Sequence, residues 1–240
     1  MKGFQLEIKG NWGHFKRPET NNNPLSFDII PKTAFIGMIG AVLGINREVM
    51  RILYPQLCED IVYGIQLLSS VKKESCGFTG HTAINPTAIK SPKSFEMLKK
   101  PQYLVCVGLK DSRSETYFES FKKSIMQSES LYTPVLGLHN CPAELYFKSE
   151  GTIEGQKNGV FFTKSFILAK QHKIANISED FRIGFDRIPT FQNDDFWNLP
   201  ERYVDIVYPD YPHGIKVEGD YYEYVIKDYH EDYNEKWILV

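Results

Sequence analysis

The sequence predicts an α+β fold with a ferredoxin-like core, and three observations predict it. Apolar residues alternate over Gly3 to Lys9, where Phe4, Leu6 and Ile8 face one way and Gln5 and Glu7 the other. A glycine-rich apolar segment, Thr33 to Gly44, and an amphipathic one, Ser114 to Gln127, both have helical character. Strand-like runs at Ile61 to Val71 and Tyr103 to Leu109 lie between them, and Ala143 to Phe147 follows. The order strand–helix–strand–strand–helix–strand is that of the split βαβ fold.

The elements follow in turn. Asn11 to Ser26 is rich in Asn, Pro and Gly and reads as a loop. Pro31 opens the buried helix, a position where its fixed φ is pre-organised and its missing N–H costs nothing. Gly37, Gly40, Ala41 and Gly44 form two small-x-x-x-small pairs, which predicts close packing against a neighbour, expected to be a sheet. Arg47 to Tyr54 reads as a short helix ended by Pro55. Lys72 to Lys100 has no clear periodicity and reads as a long connection between the second and third core strands, the kind that is functional or disordered. Tyr117, Phe118, Phe121 and Ile125 fall on one face of the second main helix. Gly159 to Ala169 and Tyr221 to Ile226 read as strands, and the pattern after about residue 172 is otherwise irregular. The organisation is a core over 1–150, with an insertion at 72–102, and a β-rich acidic extension over 151–240 packed on it.

The 240 residues can bury a sizeable core, and 42% hydrophobic with 24% charged residues excludes a disordered chain. A net charge of −2 argues against a uniformly basic nucleic-acid binder. The charge is unevenly spread, however. Residues 191–240 hold four basic and twelve acidic residues, a net of −8, which leaves +6 on residues 1–190. Within that body, 72–110 carries seven lysines against two glutamates, a net of +5. Four scattered cysteines without a C-x-x-C pair argue against structural zinc and for reduced thiols in the cytoplasm. The longest apolar run, about twelve residues, is too short to span a membrane. No cofactor or metal motif appears.

Three places could carry chemistry. Lys32 and Thr33 sit at the start of the glycine-rich helix, where unpaired N–H groups and the helix dipole attract phosphate; the alternative is a core helix with a solvated lysine. His81, Asn85, Lys90, Lys93, Lys99 and Lys100 lie on the basic insertion with Phe78 and Phe95. Lysines there would follow an RNA backbone while aromatic or imidazole faces stack on bases; the alternative is a solvated polar loop. His14, Lys16 and Arg17 in the first loop could meet phosphate or base, or form plain surface. For metal-free RNA cleavage, His14 with Lys16 or His81 with Lys90 would have to supply a base and a phosphate-binding cation.

Four blocks resemble CRISPR-associated protein family five, of the RAMP superfamily. These are Ile8-Lys9-Gly10-Asn11-Trp12-Gly13-His14-Phe15, the long block from Phe27 through Pro31-Lys32-Thr33 to Gly44-Ile45, His81-Thr82 with the basic stretch after it, and Tyr132-Thr133-Pro134-Val135-Leu136-Gly137 with Cys141-Pro142. The resemblance implies an RRM-type core with a protruding thumb hairpin. It implies a non-catalytic subunit of a type I Cascade ribonucleoprotein complex in antiviral defence. Such a subunit binds and caps the 5′ handle of the crRNA, touches the backbone and large subunits, and meets target DNA only indirectly. Where the family signature has Arg, this chain has Lys32, which turns a bidentate phosphate contact into a point charge. One branch of the family cuts repeat RNA with Tyr, Lys and His, so a metal-independent endoribonuclease is the alternative. The acidic, tyrosine-rich tail is expected to face away from RNA and either close the core or meet another subunit.

Overall fold

A computed structural model describes residues 1–21, 23–81, 90–176, 181–196, 198–226 and 234–240. The first part of the chain runs β1 (Lys2–Lys9), β2 (Trp12–Gly13), β3 (Phe15–Lys16), β4 (Ser26–Phe27), α1 (Lys32–Val42), α2 (Arg47–Asp60), β5 (Ile61–Leu67), β6 (Lys73–His81), β7 (Lys90–Lys99), β8 (Gln102–Leu109) and α3 (Glu115–Gln127). The remainder is β9 (Glu144–Ile153), β10 (Lys157–Thr163), β11 (Ile167–Leu168), β12 (Lys173–Asn176), β13 (Ile183–Phe191), β14 (Arg202–Pro209), β15 (Ile215–Ile226) and β16 (Asn234–Trp237).

The core is an antiparallel sheet in the order β9-β1-β8-β5. Its register puts Phe4, Val107 and Tyr63 side by side, then Leu6, Val105 and Ile65, then Ile8, Tyr103 and Leu67. These rows form one buried face, the result of the two-residue period read in the sequence. On it Phe4 meets Phe118 and Phe121 of α3, and Phe35 of α1 stacks on Tyr63 and meets Phe121 edge-on. Both helices therefore cover the same face.

The other face presents Gln5, Gly64 and Cys106, and the C-terminal residues close it. A Cβ on Gly64 would lie 2.5 Å from the Ile238 carbonyl oxygen and 3.0 Å from the Trp237 ring. Trp237, Tyr224, Ile153 and Cys106 form a second, smaller apolar cluster there. Tyr63 and Val240 exchange backbone hydrogen bonds of 3.1 and 3.0 Å, so the chain end borders β5. β15 bridges the parts: its first half pairs with β10 and β12, its second with β9 and β16. β13, β14 and β11 form a separate sheet, with β13 against α1 and α2. The boundary expected after residue 150 falls within β9.

Several elements differ from the sequence reading. α2 does not stop at Pro55 but runs on to Asp60. Burial of Leu57, Cys58 and Asp60 outweighs the single backbone bond that Pro55 forgoes. The unpatterned stretch after residue 72 is an antiparallel hairpin, β6 with β7, extended by β2. Much of it faces water on both sides, so no alternation marks it. Gly37 faces open space, and Gly40 meets Met50 of α2 rather than a sheet. Gly44 lies past the end of α1 at φ +66°, a left-handed turn after the helix that suits glycine. Among the described residues no helix is long and apolar enough to cross a membrane.

Candidate nucleic-acid interface

The hairpin is rooted by a charged cluster. Asp28, just after β4, is buried and forms ion pairs with Lys73 at 2.6 Å and Arg182 at 3.1 Å. It also accepts the Tyr208 hydroxyl at 2.6 Å, and its backbone carbonyl accepts the Tyr103 hydroxyl at 2.8 Å. Burial and the adjacent carboxylate both push the Tyr208 phenol up, so it stays a donor. Lys73 reaches Glu96 on β7 as well, at 2.8 Å, and so ties the two strands together. The C-terminal sheet and the first strand of the hairpin thus meet on the buried Asp28, and Lys73 links that carboxylate to Glu96 of the second strand.

Beyond that root, the outward positions are open. Phe78 is 45% exposed and sits opposite Lys93 in the strand register. Phe78 meets Phe95 edge-on, and Phe95 meets His14 in the same way, at centroid distances of 5.2 and 5.4 Å. Lys93, Lys72 and Lys100 are exposed and make no ion pair among the described residues. Lys99 is held by Glu74 at 2.8 Å and lies over the Trp12 ring. The backbone places His81 opposite Lys90. Asn85 lies outside the described residues.

The first loop departs from expectation. His14 is not surface: it is 1% exposed, and its Nδ1 faces the Glu96 carbonyl at 2.8 Å. A carbonyl can only accept, so Nδ1 carries the proton and Nε2 is left buried without a partner among the described residues. A buried imidazole cannot reach an RNA hydroxyl, so His14 and the exposed Lys16 do not form a cleavage pair. Arg17 is engaged by Asp186 at 2.9 Å and by the Ser26 carbonyl at 3.3 Å, and it lies over Phe27. It fastens the loop to β13.

The start of α1 opens on a cleft of about 1140 Å³ between α2, the turn after β8 and the C-terminal strands. Pro31 supplies no side-chain cap, and no acidic residue lies in the first turn of the helix. Lys32 is only 5% exposed and makes no hydrogen bond or ion pair among the described residues. Burial lowers its pKa to about 8, with like charges on Lys110 and Arg202 adding to the effect. The neighbouring Cys58 thiol is pushed up to about 11 by burial. Thr33 is half-buried, and its carbonyl accepts the Tyr54 hydroxyl.

The sequence reading misses three residues of these surfaces. Asp28 finds its partners far along the chain, at 73, 182 and 208, and no local pattern reveals that. Arg202 sits in the acidic tail, where the net charge hides it. Lys110 is visible only as one of seven lysines. Among the described residues no group of His, Cys, Asp and Glu could hold a metal ion.

No family model and no curated protein matches the chain. Solved structures do. A CRISPR protein from Archaeoglobus fulgidus is 16% identical with a TM-score of 0.58, over 99% of this chain and 98% of that one. A chain of a CRISPR RNA-guided surveillance complex is 11% identical with a TM-score of 0.52, over 87% of this chain and 90% of that one. At these identities the likeness is one of fold, and the fold of this chain is one found in CRISPR-associated proteins.

Proposed function

We propose that the chain is a non-catalytic RNA-binding subunit of a CRISPR surveillance complex, of the family-five type. It holds the 5′ handle of the crRNA, contacts a backbone subunit and the large subunit, and meets target DNA only through them. The strand order β9-β1-β8-β5, with α1 and α3 on one face, supports reading the core as ferredoxin-like. The observation that carries the RNA reading is the hairpin, which joins a rigid ionic root to an outer surface with an exposed aromatic and unpaired lysines. An exposed Phe beside an unpaired Lys suits a single strand, whose bases stack while its phosphates are neutralised.

RNA does not use the sheet in this reading. An RRM stacks bases on its open sheet face, but here Trp237 and its neighbours cover that face. The hairpin and the exposed lysines beside it are therefore the RNA surface, with His81 and Lys90 toward its tip and Thr33 with Lys32 at the start of α1; Asn85 keeps the RNA-binding role expected from the sequence.

Charge reversal at Lys72, Lys93 and Lys100 tests this. RNA capture is expected to weaken, and the slope of log affinity against log salt to flatten by about 0.7 for each phosphate no longer neutralised. Unchanged affinity and slope would remove the hairpin from the RNA surface.

A further inference from the structure

Ser69 to Lys72, the strap between β5 and β6, gathers groups from distant parts of the chain. The Ser69 hydroxyl donates to the Lys100 carbonyl at 3.3 Å, and the Ser70 hydroxyl donates to the Tyr211 carbonyl at 3.1 Å. The Val71 N–H donates to Asp210 at 3.1 Å, and the Lys72 carbonyl accepts the Lys99 N–H at 2.8 Å. The turn after β14, Asp210 to His213, is thereby pinned to the root of the hairpin, next to Lys72 and Lys100.

That turn carries two rings, and they are used differently. His213 stacks on Phe181 at 4.7 Å with the ring planes 7° apart. Tyr211 is held through its backbone: its carbonyl accepts from Ser70, and its N–H donates to Asp210 at 3.0 Å. Its side chain is different. The residue is 45% exposed, and neither its ring nor its hydroxyl has a partner among the described residues. An open aromatic face on an anchored turn is preorganised for a flat ligand, because little freedom remains to be lost on binding.

The charges beside it select the ligand. Asp28 and Glu96 are taken up by Lys73, with Arg182 also on Asp28, and Glu74 is taken up by Lys99. Asp210 has no cation among the described residues, and one of its oxygens accepts the Val71 and Tyr211 N–H groups. Against that single carboxylate stand Lys72 and Lys100, both exposed and both unpaired among the described residues. A free ring between free ammonium groups fits a polyanion with flat side groups, which is a single-stranded nucleic acid.

We propose that Tyr211 stacks on a base of the RNA strand whose phosphates Lys72 and Lys100 meet. The proposal rests on the RNA reading above and adds to it a contact from the acidic extension, a segment expected to face away from RNA. Stacking of this kind tolerates any base, since each has a π-face.

The test uses the full chain and fluorescence anisotropy at several salt concentrations. The probes are a short labelled oligo(U) and an abasic strand of equal length. Tyr211→Ala should weaken oligo(U) binding about tenfold, the size of one base–aromatic stack, and leave the salt slope unchanged. Tyr211→Phe should keep the parental affinity. The abasic strand should bind the parent and Tyr211→Ala alike. The bonds that pin the turn do not use the Tyr211 side chain, so both variants should share the parent's urea midpoint. If the parent binds no oligo(U), the RNA reading falls and this proposal falls with it. If charge reversal at Lys93 weakens oligo(U) binding and Tyr211→Ala does not, the RNA reading stands and this proposal alone is overturned, leaving the open ring to a protein partner. Weaker binding of the abasic strand by Tyr211→Ala would also overturn it, because the ring would then act through the fold and not by stacking.

Discussion

Lys73 and Lys32 both lie against the core, one at the root of the hairpin and one at the start of α1, and they are treated in opposite ways. Lys73 touches two carboxylates, Asp28 and Glu96, and the Ser26 carbonyl at 2.9 Å. Lys32 touches none among the described residues and is the more buried of the two. Both are ordinary lysines in a basic half of the chain, so charge alone does not tell a structural cation from a binding one. Partnership does. A satisfied cation holds strands together, whereas an unsatisfied one stores a cost that an anionic partner or the loss of its proton relieves.

The larger break comes on the satisfied side. Asp28→Asn keeps the shape and removes the charge, which leaves Lys73 and Arg182 without their shared carboxylate. Removing one partner of a buried pair typically costs about 3–5 kcal/mol. Arg182 keeps much of its water, so about 3–4 kcal/mol is expected from the midpoint of urea unfolding. Amide exchange in β6 and β7 should accelerate more than in β1 and β8. Uniform acceleration would mean that the cluster supports the whole fold and is not the root of the hairpin.

On the unsatisfied side the sign reverses. The pKa of Lys32 falls from 10.5 to about 8 on folding. Between those pH values the unfolded chain holds a proton that the folded chain has released. Stability therefore rises as pH goes from 8 toward 10.5, and below pH 8 the full cost of the buried charge is present. Lys32→Met removes that cost. The free chain should gain up to about 3 kcal/mol at pH 7, and the gap between variant and parent should close as pH approaches 10.5. A variant no more stable than the parent at pH 7 would mean that Lys32 is already neutralised in the free chain.

The contrast between the two lysines follows from what the sequence could show. Lys32 is legible as a candidate because Pro31 and the apolar run after it mark a helix start, a local feature. Its burial is not legible, since that depends on α2 and on β13, more than a hundred residues away. Lys73 counts among the basic residues of the insertion although its partners make it structural, and the same holds for Arg17 with Asp186. β1, β8 and α3 are legible because one face of each is buried and the other wet or covered late. β6 and β7 are not, because an outer hairpin lacks the single buried face that produces a period of two. The tail stands out by its charge, yet its apolar residues, Tyr224, Trp237 and Leu239, are what cover the sheet.

The smallest effect separates the charge at Lys32 from the weakness of the helix that carries it. Gly37 lies mid-way along α1, and a Cβ there would meet nothing within 4 Å. Gly37→Ala should therefore gain only its helix propensity, about 0.5–1 kcal/mol, read as a shift in denaturant midpoint at unchanged slope. It alters neither the burial nor the surroundings of Lys32. The rise in stability between pH 8 and 10.5 should persist in this variant and vanish only in Lys32→Met. If strengthening the helix also abolished the pH dependence, local opening of α1 would be the means by which Lys32 reaches water. The unpartnered lysine would then be a property of a loose helix end, and the contrast with Lys73 would be one of mobility and not of charge.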